Sequence, residues 1–315
     1  MNKFRKNKTL STSDMLCEPY ANTTIDELRK TFDLEINKYN LGMYIYYTPK
    51  QLLTHYNIEV ELAQRLSKAS KEDRKELYST LYDELFRRVP NHPQLMKKHD
   101  PAMRLSQVKL VAKSLDRYLR PNTVFLELGP GDCQLSYEIA KSVKKVYAID
   151  VSEEVTHQPE APDNFELILS DGSSINVPEL SVNLAYSNQL MEHLHPEDAI
   201  DQLIAIYRAL VPGGIYICTT PHRFGGPGDI SKFFDKTAKG FHLKEYTNSE
   251  LYRLFKDAGF SKIYSSRKYA NKLYNISPWP AMATEYLINM LPNESHRKLY
   301  QYLSKLLSIR LIAIK

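Results

Sequence analysis

The stretch VFLELGPGD, residues 124–132, decides the fold. Its first five residues are mostly apolar and run straight into a Gly-Pro-Gly turn. The segment beyond, roughly 132–142, reads as a helix, and a second short apolar run over 144–150 ends at Asp150. A strand that turns on glycine into a helix marks the ligand end of an open α/β sheet. Glycine allows the sharp turn and lets backbone approach a ligand with no Cβ in the way. An acid at the tip of the next strand can accept hydrogen bonds from ribose hydroxyls.

Working outward, helix and strand patterns alternate from residue 105. Leu105, Val108, Ala112, Leu115 and Leu119 share one helical face. Strands are expected at 123–128, 144–150, 165–170 and 182–187. A helix follows over 197–210, and a fifth strand, IYICTT, follows Pro212-Gly213-Gly214. Alternation of this kind implies parallel strands covered by helices on both faces. Each strand ends in polar chemistry: Glu127, Gly129 and Gly131; Asp150; Ser170-Asp171-Gly172; Ser187-Asn188-Gln189; Thr220-Pro221-His222. Ligands of such sheets sit beyond the carboxyl ends of the strands, so this run of tips outlines one site. A nicotinamide-type G-x-G-x-x-G fingerprint is not met. Gln134 stands where the third glycine belongs, and Asp132 is a poor neighbour for a pyrophosphate.

These motifs resemble the class I S-adenosylmethionine-dependent methyltransferases over about residues 105–265. The resemblance rests on Glu127-x-Gly129-x-Gly131, Asp150, Asp171-Gly172, the segment SNQLMEHLHPEDA (187–199) and Leu210-Val211-Pro212-Gly213-Gly214. It implies S-adenosylmethionine as cofactor and a Rossmann-like, seven-stranded sheet, mostly parallel with the last strand antiparallel. Gly129 and Gly131 would pass the methionine part, and Glu127 would contact its ammonium. Asp150, with Val151 beside it, would take the ribose, and Asp171 the adenine amino group, with Gly172 clear of the ring. Ser187, Asn188 and Gln189 would floor the place where methyl and acceptor meet. The family often has glycine where Cys133 stands, a departure expected to cost little at a helix start.

Removing a proton from an oxygen acceptor is a natural task for histidine. His193 and His242 are the catalytic candidates, and His222 and Tyr246 the substrate-side candidates. Residues 223–245 form a long Gly-rich, charged loop expected to wall the acceptor site. Glu192-His193 also resembles the E-x-x-E-H segment of metal-dependent members, with His242 as a further ligand. Gln189 replaces the first glutamate, which removes one anionic ligand. No metal is expected, and Glu192, His193 and His242 are where one would sit.

The N-terminal third of the chain shows helical patterns and no strand-like alternation. Residues 1–22 read as a loose arm, 23–104 as a helical accessory module, and 105–315 as the methyltransferase domain. Capping boxes open helices at Thr24 and Thr48, and Ser70 with Asp73 opens a third. Leu77, Leu81, Leu85, Phe86 and Val89 form the apolar stripe of that third helix. Tyr44, Tyr46 and Tyr47 offer a cover for the site. A further box at Thr247 and Glu250 precedes a sixth strand over about 260–267. A helical insertion over 278–307 then separates it from the last strand, 308–315.

The 315 residues carry a net charge of +5, with basic residues concentrated at the two ends. Three scattered cysteines form neither a disulfide framework nor a metal pair, which suits a cytoplasmic setting. The expected function is methyl transfer to an oxygen of a small or medium metabolite. An RNA methyltransferase and a non-catalytic S-adenosylmethionine-binding partner subunit are the alternatives. Nucleic acid and membrane are not expected partners, and a homodimer through the helical additions is left open.

Overall fold

A computed structural model describes residues 47–96, 101–152, 161–270 and 272–315. The Thr24 capping box, the break at Asn40-Leu41-Gly42, and Tyr44 and Tyr46 lie outside these residues. The described strands are β1 (Val124–Leu128), β2 (Lys145–Asp150), β3 (Phe165–Leu169), β4 (Val182–Asn188), β5 (Leu210–Thr220), β6 (Lys262–Tyr269), β7 (Lys272–Ile276) and β8 (Ile309–Ile314). They form one sheet in the order β3-β2-β1-β4-β5-β8-β6-β7. β1 to β5 pair in parallel, and β8 runs antiparallel to both β5 and β6.

The sheet has eight strands, which corrects the expected seven. The extra one, β7, is a hairpin partner of β6 and lies between the expected sixth strand and the helical insertion. Four of its five residues are exposed, so backbone pairing to an otherwise open edge holds it rather than burial.

The described helices are α1 (Pro49–Lys68), α2 (Lys71–Arg88), the single turn α3 (Pro93–Met96), α4 (Pro101–Leu115), α5 (Gln134–Ala140), α6 (Pro196–Ala209), α7 (Asn248–Asp257), α8 (Trp279–Asn289) and α9 (Asn293–Leu307). Three starts follow their sequence signals. Thr48 and Thr247 form complete capping boxes with Gln51 and Glu250, and Ser70 Oγ accepts from the Asp73 amide.

Strand residues alternate between two cores. Phe125, Val146, Leu184, Ile217 and Ile312 face α4 and α5. Leu126, Leu128, Ala185, Tyr216 and Leu311 face α6 and α7, and the same core takes Leu62 and Leu66 of α1 with Leu81 and Leu85 of α2. The N-terminal helices thus share a core with the sheet.

The strand order reverses between β1 and β4, where a crevice opens at the strand tips. α2 lies against that crevice, tied down by a buried ion pair. Arg74 Nε and Nη2 donate to Asp198 at 2.7 and 2.9 Å, and Tyr78 donates its hydroxyl proton to the same carboxylate at 2.7 Å. Removing Arg74 would leave the buried Asp198 carboxylate without its cation, at a cost of about 3–5 kcal/mol.

Candidate active site

At the crevice a cavity of about 790 Å³, counting its open mouth, runs between the strand tips and α2. One wall is Leu128, Gly129, Gly131, Ile149, Asp150, Val151, Ser152, Ser170 and Gly172. Gly129 holds φ +65°, and a Cβ there would press to 3.2 Å from Leu190. Asp150 accepts from the amides of Val151, Ser152 and Gly131 at 2.7, 3.2 and 3.3 Å. Burial nevertheless outweighs these donors and pushes its carboxyl up to about 6. Glu127 lies buried under the turn, accepting from Ser136 Oγ at 2.6 Å, and burial pushes it up to about 8.

The opposite wall is Tyr78, Tyr82 and Phe86 of α2, Gln94, and the segment Gln189–Leu190 with His193 and Leu194. Tyr82 stacks on Phe241 with ring centroids 4.8 Å apart. Gln189 sits at φ +58°, strained for a side chain, and its amide donates to Thr219 O at 2.8 Å. His193 donates from Nδ1 to the Phe241 carbonyl at 3.0 Å, which leaves the lone pair on Nε2. Burial, reinforced by His242, holds its pKa down at about 3.

Behind His193, the His242 ring stands edge-on at 4.8 Å. His242 Nδ1 donates to Glu245 at 2.8 Å. Burial pulls His242 down, but the Glu245 hydrogen bond and the carboxylates of Glu192 and Asp229 raise it on balance. Glu192 Oε2 accepts from Thr220 Oγ1 at 2.8 Å, whereas its Oε1 is buried with no partner. One ligand atom from each of Glu192, His193 and His242 lies within 4.8 Å of the others.

Several expected residues lie elsewhere. Asp171 does not line the cavity; its carboxylate accepts from the amides and hydroxyls of Ser173 and Ser174, its own turn. Ser187 is buried and shares a hydrogen bond with Tyr216, and Asn188 is exposed. Neither Ser187 nor Asn188 reaches the cavity, and Gln189 does. His222 is buried 2.8 Å from Glu285 of α8 and stacks on Tyr300, so it anchors the C-terminal hairpin instead of meeting a substrate. Tyr246 is buried off the cavity, in bridge contact with His222.

The loop over 223–245 packs its Ile230, Phe233 and Phe234 against Leu52 and Leu53 of α1, with Tyr47 in the same cluster. Tyr47 is therefore core. Cys133 holds φ +57°, the left-handed region, so the departure from glycine carries strain of about 1–2 kcal/mol. Tyr78 and Tyr82 were missed. Their signal is the i, i+4 row Arg74, Tyr78, Tyr82, Phe86, which lies beside the leucine stripe.

With this geometry in view, residues 126–218 match a family model described as a methyltransferase domain. A probable S-adenosylmethionine-dependent methyltransferase of Mycolicibacterium smegmatis is 28% identical over 136 residues, 43% of this chain and 51% of that protein. A ribosomal protein methyltransferase of Listeria welshimeri is 28% identical over 145 residues, 42% of this chain and 44% of that one. The chain spans about half the length of the curated relatives it matches. A solved S-adenosylmethionine-dependent methyltransferase from Mesorhizobium loti is 16% identical over 65% of this chain and 96% of that one, with a TM-score of 0.44. Residues 126–218 thus carry a methyltransferase domain of the kind that takes S-adenosylmethionine as its cofactor.

Proposed function

We propose that the protein is an enzyme that methylates an oxygen of a small or medium metabolite. The observation that carries this reading is the single cavity joining Asp150 and Gly129 to the neutral imidazole of His193. The cofactor supplies a methyl group already activated by its sulfonium. The residues have to hold it, align the acceptor and exclude water. Asp150 takes the ribose hydroxyls, Val151 lies beside it, and the Gly129–Gly131 backbone passes the methionine part. Glu127, beneath the turn, would answer its ammonium. Tyr78 and Tyr82 close over the cofactor from α2.

Gln189 and His193 face the acceptor. His193 orients the acceptor hydroxyl by accepting its hydrogen bond at Nε2. With its pKa held near 3 it is a weak base, so it takes the proton late, as the forming methyl–oxygen bond makes the hydroxyl strongly acidic. The imidazolium formed there lies beside Glu192, whose carboxyl burial holds up towards neutrality. Among the described residues neither lysine nor arginine lines the cavity, which favours a small acceptor over an RNA strand. Calorimetry should find S-adenosylmethionine binding on the order of micromolar. No binding would sink the reading.

A second reading is favoured by the unpartnered Glu192 Oε1. His193 and His242 each commit Nδ1 to an oxygen, as histidines that bind a metal through Nε2 do. These three residues would hold a divalent cation, which would supply Lewis-acid help at the acceptor oxygen. Full activity after chelation excludes this version and leaves the first intact.

A further inference from the structure

Among the described residues, nine of the thirteen exposed large apolar side chains fall between Tyr269 and Tyr302. They are not scattered. On α8 the exposed residues Trp279, Tyr286 and Leu287, with Met290 at its C-cap, recur at helical spacing. They lie opposite Ala281, Glu285 and Ile288, which are buried. α8 is thus apolar on two faces and uses only one of them for packing. Its partner α9 sends Leu299, Leu303 and Leu307 into the shared core and leaves Arg297, Lys298, Tyr302 and Lys305 outside.

Charge on this hairpin is one-sided. Over residues 268–305 the charged side chains are Lys268, Lys272, Arg297, Lys298 and Lys305 against Glu285 and Glu294. Glu285 is turned inward, accepting from Asn248 and Ser249 beside His222. Only Glu294 offsets the basic groups at the surface. Those inward bonds also fix the hairpin to the end of β5, so its outer face is a rigid platform.

We propose that this face docks on an anionic lipid surface. The apolar stripe of α8 enters the headgroup boundary, with Trp279 and Tyr286 at the level aromatic rings favour in membranes. The basic side chains of α9 meet acidic headgroups. Charge argues against a second copy as the occupant, because two such faces would bring like charges together. No described helix is long and apolar enough to cross a membrane, so the contact is interfacial. Sequence reading alone does not expect membrane contact, since it cannot tell that one apolar face of α8 is left uncovered.

Trp279 is the only tryptophan in the chain and is 64% exposed, so it reports directly. The full chain is mixed with vesicles of 70% phosphatidylcholine and 30% phosphatidylserine, and with pure phosphatidylcholine. The expected result is co-sedimentation with the anionic vesicles and a blue shift of Trp279 emission, both reduced by high salt. Leu287→Ser with Met290→Ser, and separately Lys298→Glu with Lys305→Glu, should each weaken binding about tenfold. Circular dichroism confirms that these surface variants fold.

The basic residues near the start of the sequence are a second source of attraction to anionic vesicles. Co-sedimentation with no blue shift, unaffected by either double variant, therefore overturns the proposal. So does Trp279 emission that is already blue-shifted without lipid and reddens on dilution, which would give the face to a second copy. Capture of an acidic protein in place of vesicles would overturn it as well.

Discussion

The strand-tip wall of the cavity and the wall facing it are built by different means. From Gly129 to Gly172 the first is built on the turns at the strand tips, shaped by positive-φ glycines and by an Asp150 that the amides of Gly131, Val151 and Ser152 orient. The facing wall, from Tyr78 to His193, is made of side chains drawn from α2 and from the segment after β4, with His242 of a distant loop behind it. Burial acts on both in one direction, towards neutrality. It lifts Asp150 and Glu127 and depresses His193. The first wall suits a ligand of fixed shape, and the second suits a proton that has to be moved.

The largest test of that division is His193→Ala. On the proposed reading turnover falls about 10²–10⁴-fold, the usual worth of a general base. Cofactor affinity, measured by calorimetry, should stay within about threefold, because His193 belongs to the other wall. Equal losses in both would erase the distinction. The pH profile sharpens it. With its pKa held near 3, His193 stays neutral where an ordinary imidazole, at about 6.5, would be protonated. Turnover at saturating cofactor should therefore hold its plateau down to about pH 5. A fall centred near pH 6.5 would show an unperturbed histidine.

Next in size is Asp150→Ala. Two hydrogen bonds from ribose hydroxyls to a carboxylate are each worth about 1.5–3 kcal/mol, so cofactor affinity should fall about 10²-fold or more. Turnover at saturating cofactor should change far less. If turnover collapses while affinity holds, the assignment of the two walls is reversed.

The same division explains what could be read from sequence. The first wall comes from local patterns: a strand, a glycine turn and an acid some twenty residues on, each fixed by its own short segment. The second depends on which distant element lies over the tips. Tyr78 and Tyr82 share a helix with a strong leucine stripe, and the stripe is all that periodicity reveals. His242 was legible as a candidate, but its place behind His193 depends on how residues 223–245 pack on α1. Asp171 shows the limit of motif transfer. The residue stands where the pattern wants it, yet its carboxylate is spent on Ser173 and Ser174. β7 escaped because an edge strand of mostly exposed residues leaves no burial pattern.

Glu127 gives the smallest effect and the finest discrimination. Its carboxyl, buried and bonded to Ser136, is pushed up to about 8 from the ordinary 4.5. Between those values the folded protein keeps a proton that the unfolded chain releases. The stability this brings is full below about pH 4.5 and is lost as pH rises through about 8. Glu127→Gln keeps the shape and the bond to Ser136 but cannot ionise. It should match wild type near pH 4.5 and melt a few degrees higher at pH 9. Added S-adenosylmethionine should then separate two roles. If Glu127 answers the cofactor's ammonium, cofactor stabilises wild type increasingly as pH rises, because the bound cation favours the carboxylate, and the glutamine variant shows no such trend. If Glu127 only braces the turn through Ser136, cofactor raises both melting curves by the same amount at every pH, and the first wall would recognise its ligand through Asp150 and main chain alone.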